Sequence, residues 1–138
     1  MTPYKHIVQY YETDKMGITH HSNYIRWMEE ARIDFLKQLG WGYEKLEEEG
    51  IFSPVTAIDC KYKANTTFPD EISITVSVSA FQGAILKLQY VMTNQNGQIV
   101  FEGHSEHCFL NAQGRIIRMN RAYPEFSKLL SSLITTEQ

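Results

Sequence analysis

The chain has 138 residues, 43% of them hydrophobic and 21% charged, with a net charge of -3 at neutral pH. These proportions are ordinary for a folded globular chain and give no indication of disorder, while the scattered lysines and arginines offer no basic face for nucleic acid. No run approaches transmembrane length, so no membrane span is expected.

A length of 138 residues fits one domain, 1–138, able to bury roughly two-thirds of its unfolded surface. The N-terminal residues lead into alternating polar and apolar positions rather than an apolar block, so no signal peptide is expected. Cys60 and Cys108 lie in apolar strand-like stretches, and we read them as reduced core thiols of a cytoplasmic chain.

Alternation from about Lys5 to Tyr11 predicts a first strand, which the polar segment from Thr13 to Thr19 interrupts. Ser22 or Asn23 can cap a helix whose apolar face runs through Tyr24, Met28, Ala31, Phe35 and Leu39. Ile25, Trp27, Ile33 and Leu36 widen that face, which predicts a helix buried on most sides. Gly40 and Gly42 end it, and Tyr43 to Glu49 reads as a short acidic helix closed by Gly50.

After Pro54 the pattern changes period. Val55 to Lys63 alternates as a strand does, and the later alternation of Ile72, Ile74, Val76 and Val78 with serines and a threonine predicts a second strand with one buried face and one polar face. Ile85 to Thr93 and Gln98 to Leu110 form two more strands, joined by a hairpin at Asn96-Gly97. A short segment from Arg115 to Met119 precedes a terminal helix from Tyr123 to Leu133 with Pro124 in its first turn. The order predicts an α+β fold, one curved antiparallel sheet wrapped around one long central helix. Such a sheet leaves an edge to cover, which points to a homo-oligomer.

The densest chemistry lies between Tyr11 and Tyr24, where an acid, a glycine turn, two histidines and a helix start fall within fourteen residues. A carboxylate next to free helix N-terminal N–H groups can act on a substrate carbonyl, supplying a base or nucleophile and donors for charge on oxygen. Asp14 is the candidate acid, and its plainer alternative is a turn residue accepting the Met16 or Gly17 N–H. The His21 side chain is open between orienting water, contacting a substrate sulfur, supporting Asp14 and a hydrogen bond at a helix start. Helical spacing reads Tyr24 first as packing, and Glu29 with Arg32 as a structural ion pair.

Tyr11, Thr13, Asp14, Gly17, His21 and Tyr24, followed by Glu29, Ala31 and Arg32 and later by Phe68-Pro69-Asp70-Glu71, resemble the signature of hotdog-fold acyl-CoA thioesterases of the 4-hydroxybenzoyl-CoA thioesterase family. The resemblance implies a hotdog fold, a dimer made by sheet continuation and commonly doubled to a homotetramer, and hydrolysis of an acyl-CoA by water. It assigns Asp14 as general base or nucleophile, the backbone N–H at His21 as the donor polarising the carbonyl, and Gly17 as the turn that lets the chain approach the substrate. Histidine rather than an aromatic residue at position 21 points away from 4-hydroxybenzoyl-CoA itself.

Tyr24, Lys61 and Lys63 are carried as candidate substrate contacts, the two lysines by charge towards coenzyme A phosphates. No cofactor is expected, coenzyme A being part of the substrate. A metal is not expected either, since His104 and His107 fall on opposite faces of a strand and His20 and His21 do not chelate together. Two other classes stay open: a non-catalytic acyl-CoA or acyl-carrier binding protein, and a hotdog dehydratase.

Overall fold

The computed structural model describes residues 1–134. Five strands and four helices follow in the order β1 (Tyr4–Ile7), α1 (Ser22–Gln38), α2 (Tyr43–Glu48), β2 (Val55–Tyr62), β3 (Glu71–Phe81), β4 (Ile85–Thr93), β5 (Ile99–Cys108), α3 (Met119–Ala122) and α4 (Pro124–Ser132). The strands form one five-stranded antiparallel sheet in the order β1-β3-β4-β5-β2. The α+β expectation is met, with β1 and β2 as the sheet's two ends.

The predicted first strand is shorter than its alternation suggested. β1 stops at Ile7, and Tyr10–Glu12 forms a 3-10 turn in which the Gln9 N–H donates to the Glu12 carboxylate at 2.8 Å. That local bond competes with strand pairing, so the chain turns early. In register, Tyr4 faces Ile74 and Ile7 faces Glu71.

The contacts divide the chain into two compact units. The first comprises Met1–Phe35, Cys60–Val76 and Tyr90–Gly103. Its core holds Tyr24, Trp27, Met28, Ala31 and Phe35 of α1 together with Ile72, Ile74, Tyr90, Met92 and Phe101. Tyr24 stacks on Phe101 with ring centroids 5.3 Å apart. Burying side chains of this size stabilises by roughly 1.5–3 kcal/mol each.

The second unit comprises Leu36–Asp59, Ser77–Gln89 and the chain from His104 onward. Its core is an aromatic cluster in which Trp41 stacks on Phe126 at 4.4 Å and Phe109 meets Phe126 edge-on. Pro124 sits in the first turn of α4, as expected of a residue with no N–H to satisfy there.

One pattern differs from the sequence reading, and another was left open by it. In α1, Ile25 is exposed and Ile33 half-buried, so the buried surface is a wide stripe and not most of the circumference. β2 exposes both faces except at Cys60, a point its alternation leaves open. The reason is position: β2 ends the strand order and lacks a neighbour on one side.

Candidate active site

The chain from Thr13 to Thr19 is a tight hairpin closed by a bridge between those two residues. Inside it the Asp14 N–H donates to the Ile18 carbonyl, and the Gly17 N–H to the Asp14 carbonyl, both at 2.9 Å. Gly17 adopts φ +79°, a left-handed conformation that a side chain would strain. The turn therefore needs its glycine.

Asp14 is half-buried, and its Oδ1 accepts the Met16 N–H at 2.8 Å. This is the plainer turn role anticipated from sequence. It occupies one carboxylate oxygen, and no hydrogen bond joins Oδ2 to any described residue. The turn thus fixes the carboxylate without saturating it.

The hairpin is held from outside by a distant segment of the same unit. Thr67 Oγ1 donates to the Gly17 carbonyl at 2.7 Å, and the Thr67 N–H donates to Asp70 Oδ2 at 2.9 Å. Deeper, Thr19 Oγ1 and Thr66 Oγ1 lie 2.6 Å apart, and the Tyr24 hydroxyl reaches Thr66 Oγ1 at 2.9 Å. Burial raises the Tyr24 pKa, so its hydroxyl stays neutral and serves this network.

α1 starts at Ser22, in the region expected from sequence. His20 Nδ1 accepts the Ser22 N–H at 3.3 Å and pairs with Ser22 Oγ at 2.9 Å. The amides of Asn23 and Tyr24 donate to the carbonyls of His20 and His21. That leaves the His21 N–H as the donor of this turn with no acceptor among the described residues. The His21 ring is exposed, lying 4.4 Å from His20 and edge-on to Tyr62 at 6.2 Å. Burial, then the neighbouring Cys60 thiol, pushes the Tyr62 pKa up to about 12.

Sequence reasoning missed Glu12. It is 5% exposed, with Oε1 accepting from His6 Nε2 at 2.9 Å and from the Gln9 N–H at 2.8 Å, and Oε2 accepting from Trp27 Nε1 at 2.9 Å. Burial pushes its pKa up, but the Gln9, His6 and Trp27 donors outweigh this and hold the carboxyl below its ordinary value. Gln9-x-x-Glu12, a glutamate three positions after a polar residue, is the one local signal that could have found it.

The other predicted residues are placed separately. Lys61 and Lys63 are exposed, and Lys63 Nζ lies 3.6 Å from Glu102. Arg32 is buried, 4.0 Å from Glu29 and within 3.5 Å of the Tyr90 hydroxyl. His104 is exposed and His107 buried, the opposite faces expected of them. No group of three or more His, Cys, Asp or Glu able to hold a metal ion occurs among the described residues.

The second unit carries an open cleft of about 380 Å³ lined by Asp59, Lys87, His104 and Glu106, among others. None of the predicted site residues lines it. Its charged groups are already paired, His104 with Asp59 at 3.1 Å and Lys87 with Glu106 at 3.9 Å.

Comparison with known proteins gives this geometry a family. Residues 8–132 match the model of the thioesterase-like superfamily. YneP of Bacillus subtilis, a provisionally assigned acyl-CoA thioesterase, is 30% identical over 120 residues, covering 86% of this chain and 87% of its own. The acyl-CoA thioesterase YbgC of Haemophilus influenzae is 30% identical over 63% of this chain and 65% of its own. The structure of a DHNA-CoA thioesterase from Staphylococcus aureus superposes with a TM-score of 0.90 at 30% identity, covering 95% of this chain and 89% of the other. The chain belongs to the thioesterase-like superfamily and has the hotdog fold of its thioester hydrolases.

Proposed function

We propose that the protein hydrolyses acyl-CoA thioesters to a free acid and coenzyme A, with Asp14 as general base or nucleophile and the His21 N–H receiving the charge that develops on the carbonyl oxygen. One observation carries the reading: a fixed carboxylate with an open Oδ2 and an N–H with no protein acceptor belong to the same stretch, Asp14 to His21. As base, Asp14 takes a proton from water while the hydroxide oxygen bonds to the carbonyl carbon, and it returns that proton to the departing sulfur. As nucleophile, its oxygen bonds to the carbonyl carbon while the carbon–sulfur bond breaks and coenzyme A leaves as the thiolate. Water then opens the anhydride to the free acid and the Asp14 carboxylate, and the proton released is taken up by the thiolate. The N–H stabilises the oxyanion on either route.

The names of YneP and YbgC support acyl-CoA as the substrate class. Lys61 and Lys63, exposed at and just beyond the end of β2, are the candidate contacts for its phosphates. Tyr24 acts from below, holding Thr66.

Asp14→Asn is a clean test, because an asparagine oxygen can still accept the Met16 N–H. Thiol release from a panel of acyl-CoA esters should fall by about 10²–10⁴-fold. Equal rates in variant and wild type would defeat the reading, and tight acyl-CoA binding without turnover in the wild type would favour a non-catalytic binder.

The same proposal includes a homodimer formed by pairing of β2 with β2 of a second copy, with a tetramer as two such dimers. Val55, Ile58 and Tyr62 are 43%, 36% and 48% exposed on this end strand, a length of open edge that isolated proteins avoid. Sedimentation should show the wild type as a dimer or tetramer and Ile58→Lys as a smaller species. A monomeric wild type would remove this part.

A further inference from the structure

We infer that Glu12 is a positioning residue for the reaction, holding Asp14 and the His21 N–H in register from beneath the hairpin. The inference rests on the function proposed above and adds a residue to it. Glu12 works through both its side chain and its backbone.

The side chain is clamped from three directions. His6 reaches it from β1, Gln9 from the 3-10 turn and Trp27 from the second turn of α1, each between 2.8 and 2.9 Å. His6 lies against the Trp27 ring at 4.6 Å, and its Nδ1 comes within 3.3 Å of Glu30, which also accepts the Tyr4 hydroxyl at 3.0 Å. A carboxylate with three donors in a buried setting is fixed more firmly than any exposed group.

The backbone passes that fixity to the site. The Glu12 carbonyl accepts the His20 N–H at 2.8 Å and Asn23 Nδ2 at 3.0 Å. Asp14 follows Glu12 by two residues, and His21 follows His20 by one. One residue therefore anchors both arms of the hairpin, the arm bearing the carboxylate and the arm bearing the free N–H. Asn23 Nδ2 also reaches the His20 carbonyl at 3.2 Å and ties the arrangement to the first turn of α1.

Misplacing reacting groups by about 1 Å can cost roughly a hundredfold in rate, while contacts that bind a distant part of the substrate are untouched. Glu12→Gln replaces one acceptor by a donor that faces His6, Gln9 or Trp27. It should lower kcat about 10–100-fold with KM within about threefold of wild type, and speed hydrogen exchange at the His20 amide by about tenfold while leaving α4 unchanged. Unchanged kcat, or a raised KM at unchanged kcat, would overturn the inference.

Should Glu12→Gln fail to fold, Asn23→Ala removes only the side-chain tie to the Glu12 and His20 carbonyls. A kcat about 3–10-fold lower at constant KM supports the inference, and wild-type kcat overturns it. The two readings fail separately. Wild-type activity in Asp14→Asn sinks the function, whereas the exchange rate at His20 in Glu12→Gln still decides whether Glu12 holds the hairpin.

Discussion

Two histidine–carboxylate pairs in this chain have nearly the same length and opposite surroundings. His6 and Glu12 meet at 2.9 Å with side chains 12% and 6% exposed, whereas His104 and Asp59 meet at 3.1 Å with side chains 47% and 64% exposed. The first pair has two further hydrogen-bond donors, Gln9 and Trp27, and a second carboxylate, Glu30, 3.3 Å from His6, whereas the second faces solvent on an open cleft. Distance alone does not rank them. Water and salt weaken the exposed pair, while the buried one has no solvent to stand in for a lost partner.

The largest expected effect therefore comes from emptying the buried pair. Glu12→Ala leaves the Trp27 indole N–H and the Gln9 N–H without an acceptor, and should cost about 3–5 kcal/mol in urea unfolding. A loss below about 1 kcal/mol would put the two pairs on equal footing and break the comparison.

A pH series sharpens it. The folded Glu12 carboxyl titrates below its ordinary value of 4.5, so it adds stability above pH 4.5. That contribution is lost as pH falls from 4.5 through the folded-state value. Unfolding measured between pH 6 and pH 3 should show a steeper acid-side loss for wild type than for Glu12→Gln, and parallel curves would contradict the assignment.

The smallest effect belongs to the exposed pair. His104→Ala should change stability by roughly 0–1 kcal/mol, and added salt should erase most of it. A salt-insensitive loss above this range, read from the same urea unfolding, would mean the cleft is more enclosed than its exposure indicates.

The legible parts of this molecule were those governed by local rules. The long helix, the Asn96-Gly97 hairpin, Pro124 at the head of α4 and Gly17 in its turn all followed from periodicity, capping and positive φ. The Asp14 turn and the region of the helix start were legible, and Asp14 stood out as a candidate, because acid, glycine and histidine crowd into one stretch. Glu12 was hidden in that same stretch, because its partners His6 and Trp27 lie on two different elements and only folding brings them together. The exposure of β2 was not legible for a related reason: alternation records which residues are apolar, and an end strand exposes them until something else pairs with it.

Thr67 and Gly17 are fifty residues apart in sequence, and Thr66 and Thr19 forty-seven, yet their contacts hold the hairpin in place. The Asp14 turn itself needs only its own few residues and can form early. Its docking cannot, because closing a loop of about fifty residues costs entropy that only the packed core of the unit repays. The turn thus precedes the site in folding, and a refolding chain should regain local turn structure before it regains activity.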